Sequence, residues 1–180
     1  MRDNTTIRRF SWIAILTGAT LFGSLIFACA TPFAALGALA ALHLNRRDAF
    51  VLTGVNWAAN QVVGYTCLNY PQSWESFAWG AVIGIAALVA TGAAVKAESM
   101  LRRTGWVQAA FSTFVIAFAV YEGSLYAATA ILPSGSGAFS TKVILYVLSV
   151  NGIAFVALSV LQRAGLALGF VTPKHGAANA

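Results

Sequence analysis

Between Asn56 and Ser76 the chain reads NWAANQVVGYTCLNYPQSWES, a run that gathers amides, hydroxyls, aromatic rings and a thiol. A carboxamide offers a donor and an acceptor side by side, a tyrosine carries a hydroxyl on an aromatic body, and a cysteine is a soft metal ligand or a nucleophile. Asn56 and Asn60 are four residues apart and share a helix face, with Gln61 beside it. Amides are costly in apolar surroundings unless bonded, so this face either clamps helices together or reaches a ligand. Cys67 follows Tyr65 and precedes Asn69, Tyr70 and Trp74, at what reads as the rim of a polar, aromatic pocket. Three readings stand for it: a packed apolar thiol, a disulfide with Cys29 in an oxidising compartment, or a contact to a ligand or metal. Glu122 is the one acid well inside an expected helix, with Tyr126 a turn further on and Tyr121 and Ser124 nearby. An acid within a membrane is a functional candidate in its own right.

Signatures of soluble enzymes are missing: the sequence has no HExxH, no Walker loop, no GxSxG and no CxxC. Its two histidines, His43 and His175, both fall toward the opposite end from Cys67. That placement excludes a multi-histidine metal site or a Ser-His-Asp triad at the Cys67 end.

The elements that must position these groups follow from composition. At 59% hydrophobic and 9% charged over 180 residues, the chain lies outside the range of soluble domains. Its mean hydropathy of +0.76 agrees. Charge-free runs suit helices that cross a hydrocarbon core of about 30 Å, and the Ala/Leu/Gly blocks lack the alternation of a barrel. The expectation is an all-α integral membrane protein, a six-transmembrane-helix bundle forming one domain over 1–180. Its spans are Phe10 to about Phe27, Pro32 to Leu44, Ala49 to Leu68, Phe77 to Ala97, Gly105 to Leu132, and Val143 to about Leu161. The first is read as a retained span rather than a cleaved signal, because the apolar stretch runs on past Pro32. The tail from about 170 to 180 reads as disordered.

Charge sets the orientation. Threading six spans puts Arg2, Arg8, Arg9, Arg46, Arg47, Lys96, Arg102, Arg103, Arg163 and Lys174 on one face and Lys142 alone on the other. Both termini are then cytoplasmic, and the 56–76 stretch ends on the outer face with the loop at Pro133, whose PSGSG core reads as flexible. The second segment is short, about 20 Å as a helix, and is kept as a span because omitting it would set the N-terminal arginines against Arg46 and Arg47. A net charge of +6 scattered through short loops does not indicate nucleic acid. Small residues recur at four-residue spacing, at Ala30, Ala34 and Ala38 and again at Gly80 and Gly84. Such positions let helices approach closely, within the chain or against a partner subunit.

Six helices, early small-xxx-small faces and a polar outer pocket resemble the substrate-binding S-component of energy-coupling-factor vitamin transporters. The thiol in that pocket is similar to the solitary BtuM-type cobalamin transporters of the bacterial inner membrane. The resemblance implies a vitamin uptake protein that holds cobalamin as transported ligand at its periplasmic face and has no intrinsic cofactor. It implies Cys67 as the cobalt ligand and as a helper in removing an upper cyanide, and an energy-coupling ATPase module as a candidate partner. Asn60, Tyr65, Asn69, Tyr70, Trp74, Glu122 and Tyr126 are the accompanying ligand-binding candidates. Amides and aromatic rings at a pocket mouth suit a large ligand rimmed with amides and apolar on its faces. Two other classes stay open: a structural or assembly subunit of a membrane complex, and a membrane enzyme using Glu122 or Cys67.

Overall fold

The computed structural model describes residues 7, 11–20, 31–101 and 103–168. All described secondary structure is helical: α1 (Ser11–Thr20), α2 (Phe33–His43), α3 (Arg46–Thr66), α4 (Trp74–Leu101), α5 (Trp106–Ala128), a 3-10 segment (Pro133–Phe139) and α6 (Thr141–Ala167). The expected disordered tail and the Ala30 and Cys29 positions lie outside the described residues.

Among the described residues three helices, α4, α5 and α6, are long and apolar enough to cross a membrane, where the sequence led us to expect six spans. The other three differ for separate reasons. α3 is long enough, at 21 residues, but Arg46, Arg47 and Asp48 in its first turn and the inward amides dilute its apolar character. α1, as described, and α2 are short. The 11 residues of α2 span about 16 Å at the ~1.5 Å rise of a helix.

Shortness does not leave α2 at the edge. It packs against α3, α4, α5 and α6 alike, and Phe33 through Ala41 are all buried. Its alanines and Gly37 make this possible, because small residues between Phe33, Leu36 and Leu39 let neighbouring helices approach closely. Ala34 belongs to one core cluster with Ala86, Ala87 and Ala90 of α4, and Ala38 to another with Ala94 of α4 and Phe114 and Ala117 of α5. A Cβ at Gly37 would come within 2.7 Å of Thr91 Oγ1 and 3.4 Å of its Cα, so α2 and α4 touch backbone to backbone there.

α3 is amphipathic in the sense proper to a bundle in lipid. Thr53, Asn56 and Asn60 are buried, and Val51, Val55 and Val62 are exposed. Asn45 caps its start, its Oδ1 accepting from the Asp48 amide at 3.0 Å while its Nδ2 donates to Asp48 Oδ2 at 2.9 Å. The cap draws α3 three residues further back than Ala49. Of the first amides of α2, that of Phe33 bonds Thr31 O at 2.8 Å and that of Ala35 is served from another helix, by Asn151 Oδ1 of α6 at 3.1 Å. Hydroxyls on the long helices bond the carbonyl four residues back, as Ser124 does to Val120, Ser149 to Leu145 and Ser159 to Phe155. Thr53 and Thr91 do the same and also meet each other at 2.9 Å, joining α3 to α4.

The helix directions place Arg46, Arg47, Lys96, Arg103 and Arg163 at one end of the bundle and Lys142 at the other. Trp106 sits at the basic end with the Arg163 guanidinium 4.4 Å from its ring centre. Trp74 stands 80% exposed at the far end, as aromatic residues do at membrane interfaces.

Candidate functional site

The far end holds a cavity of about 340 Å³. α3 contributes Asn60, Gln61 and Tyr65, and the connection after it Tyr70 and Pro71. α4 supplies Ser76, Trp79, Gly80 and Ile83, α5 supplies Tyr121, and the start of α2 gives Phe33 with Thr31 just ahead of it. None of these twelve side chains is charged.

The chain reversal after α3 decides which of its residues enter the cavity. Cys67 and Leu68 both donate their amides to Val63 O, at 2.9 and 3.1 Å, and Asn69 then takes a left-handed φ of 55°. Asparagine tolerates that conformation better than most residues. Tyr70 is thereby folded back over α3, its amide bonding Gly64 O at 3.0 Å. Its ring lies where a Cβ on Gly64 would be, 2.4 Å from the nearest ring atom. The same turn leaves Cys67 exposed as a free thiol outside the cavity lining, its Sγ 3.4 Å from Thr66 Oγ1.

Most polar heads in the wall are already engaged. Asn60 Nδ2 donates to Thr31 Oγ1 at 2.7 Å, Tyr65 OH meets Ser76 Oγ at 3.1 Å, and Trp79 Nε1 donates to Ser134 Oγ at 3.2 Å. The last bond ties α4 to the 3-10 segment. The PSGSG loop is therefore ordered into a short helix rather than left free, with the Trp79 ring seated on Gly135. Tyr65 stacks on Phe77 with ring centres 4.8 Å apart and meets Tyr70 edge-on at 5.8 Å. Two polar groups stand apart: among the described residues, the Gln61 carboxamide and the Tyr121 hydroxyl have no hydrogen-bond partner.

Gly80 and Gly84 do a different job from the one their spacing suggested. They seat side chains rather than neighbouring backbones: a Cβ at Gly80 would fall 2.4 Å from Gln61 Oε1, and one at Gly84 2.6 Å from the Trp57 indole. Trp57 Nε1 in turn donates to Gly80 O at 2.8 Å. α3 and α4 are thus keyed by an amide and an indole.

Of the residues singled out from sequence, Asn60, Tyr65, Tyr70 and Gly80 line the cavity. Cys67, Asn69, Trp74, Glu122 and Tyr126 do not. Glu122 is half-buried on α5 beside Tyr121, and Tyr126 is exposed, its ring edge-on to Phe139 at 5.3 Å. Asn56 is deeper, with Nδ2 donating to Thr20 Oγ1 and Oδ1 without a partner. Ala34 and Ala38 are fully buried, so a partner docking on that alanine face would have to displace α4 and α5.

Sequence reasoning passed over Trp79 and placed Gln61 and Tyr121 only as neighbours. Helical spacing was the available signal: Gln61 and Tyr65 are four apart, and Ser76, Trp79, Gly80 and Ile83 recur every three or four residues. It also passed over Asp48 and Glu98, both buried toward the basic end because α3 and α4 extend past the apolar runs. Among the described residues no three His, Cys, Asp or Glu side chains gather as a metal site. No protein-family model, curated protein or solved structure matches the chain.

Proposed function

We propose that the chain is a multi-pass uptake protein of the bacterial inner membrane that captures a small uncharged molecule at the end of the bundle holding Tyr65, Tyr70 and Trp79. The carrying observation is a cavity with no charged side chain in its lining, walled mainly by neutral polar and aromatic groups with Pro71 and Ile83, in which a carboxamide and a phenol have no partner among the described residues. Water-filled or ligand-filled polar clefts are where membrane proteins place such groups. The proposal keeps six crossings with cytoplasmic termini. Support for that orientation is the basic end of the bundle, and the inward turn of polar groups on α3 lets that helix cross without exposing amides to lipid. Thermal-shift screening of the purified full-length protein against uncharged and charged metabolites tests the reading. Stabilisation by uncharged compounds, abolished by a cavity-filling Gly80→Phe, is expected. A response confined to charged compounds, or one untouched by Gly80→Phe, refutes it.

A corrinoid is the second reading, favoured by one observation: Cys67 is a free, exposed thiol three residues before Tyr70, which lines the cavity. A cavity of this size is at the lower end for drug-sized ligands, about 300 Å³ and upward, so only part of a corrinoid would enter it. Thiolate ligation of cobalt would make affinity pH-dependent. Protein purified after exposure to cobalamin should then be coloured, with a cobalt–thiolate absorption that Cys67→Ala removes. A colourless protein ends this reading. An energy-coupling ATPase module belongs to the same proposal and would have to bind elsewhere than on Ala34 and Ala38.

A further inference from the structure

We propose that the cavity recognises an uncharged planar heterocycle by a lactam edge, an N–H beside a C=O, which pairs with the Gln61 carboxamide. This deepens the uptake reading and rests on the cavity being a binding site.

The chemistry follows from what the wall leaves over. Asn60, Tyr65 and Trp79 spend polar hydrogens or hydroxyls on Thr31, Ser76 and Ser134. What those rings present to the cavity is therefore chiefly aromatic surface, which favours a flat, apolar-faced guest. Gln61 differs because its carboxamide is unengaged among the described residues. A carboxamide sets one donor and one acceptor in a plane, so its best partner is a group with an acceptor and a donor at matching spacing. Glutamine reads adenine edges in nucleic acids by such a bidentate pair. Gly80 fixes where the amide stands, since any Cβ there would meet Oε1. The Tyr121 hydroxyl, also without a partner, offers one further bond. The lining itself holds no charged side chain, which disfavours ionic ligands that would have to be desolvated there.

The test uses purified full-length protein and paired probes: uridine against 3-methyluridine and inosine against 1-methylinosine, which differ only in the lactam N–H. Benzimidazole serves as a planar, uncharged ring without a lactam, and hydroxocobalamin as the corrinoid arm. Tryptophan fluorescence reports binding. The expected result is that at least one lactam probe binds and its N-methyl counterpart binds at least tenfold more weakly. Gln61→Leu should impose a similar loss, and Tyr121→Phe a smaller one. Because the paired probes act on the unaltered protein, a misfolded variant leaves the test intact. Equal binding of both members of a pair, or benzimidazole binding indifferent to Gln61→Leu with no lactam bound, overturns the lactam assignment while leaving the cavity a binding site. Corrinoid binding lost with Cys67→Ala and kept with Gln61→Leu, in the absence of lactam binding, overturns it in favour of the second reading. Failure of every uncharged probe overturns both this inference and the uptake reading beneath it.

Discussion

Glycines in this protein are best understood by what sits on them. Gln61 rests on Gly80, Trp57 on Gly84, Tyr70 on Gly64, Trp79 on Gly135 and, at the basic end, Trp12 on Gly165. Because the atom that a Cβ at Gly80 would meet is the far end of a flexible side chain, Gly80→Ala should leave the melting temperature within about 2–3 °C of wild type, a surface-like change of ~0.5 kcal/mol. Its effect should appear in ligand affinity, as Gln61 is pushed from its seat. A melting temperature that falls sharply with affinity unchanged would refute the seat. Gly84→Leu is different in kind, since the indole of Trp57 is bulky and already bonded to Gly80 O. Overpacking of about 1–3 kcal/mol is expected there. The Thr53–Thr91 pair should behave modestly. Each hydroxyl keeps its own i−4 carbonyl when the other is removed, so a Thr53→Val, Thr91→Val double-mutant cycle should give a coupling near ~0.6 kcal/mol and below ~1.7 kcal/mol. A larger value would mean the hydroxyls depend on each other more than the geometry implies.

At the scale of elements, α2 depends on a neighbour even for one hydrogen bond of its first turn. Asn151→Ala takes away the acceptor for Ala35 N and leaves a buried amide orphaned, at a cost of about 1–3 kcal/mol, to be read from unfolding in mixed micelles. No measurable destabilisation would show that water replaces the cap. This cap also marks the limit of what the sequence discloses. The long apolar stretches of α4, α5 and α6 are legible because a charge-free run has only one stable form in lipid. Their ends are not, because capping and polar flanks such as Ser73, whose hydroxyl accepts from Ser76 N at 3.3 Å, carry helices beyond the apolar run. In the site, Asn60, Tyr65 and Tyr70 were legible as polar or aromatic groups near one end. The exclusion of Cys67 was not: that residue ends α3 outside the lining just before the chain turns back at the left-handed Asn69, a geometry no hydrophobic pattern encodes. Gln61 carried a signal in its spacing, but its lack of a partner among the described residues is a fact of three dimensions.

Seen as a whole, the molecule has a basic end and a nearly uncharged, aromatic end, and this polarity makes a direct forecast. In intact cells of a Cys29→Ala background, Cys67 should react with a membrane-impermeant maleimide added outside. A cysteine placed at Arg103 should react only after permeabilisation. The reverse pattern would invert the proposed orientation. The other global feature is that the most completely buried of the described helices is a short one, of 11 residues, and comes early in the chain. With about 11 of the ~20 residues a spanning helix needs, α2 has little claim on lipid when it leaves the ribosome, and α3 to α6, which pack on it, are made later. Its placement is therefore an act of assembly rather than of insertion. Chains halted before α5 should leave α2 bare on the sides that α5 and α6 cover and be degraded quickly, whereas the finished chain persists; pulse-chase of stalled and full-length forms would measure the interval during which this protein is incomplete at its own centre.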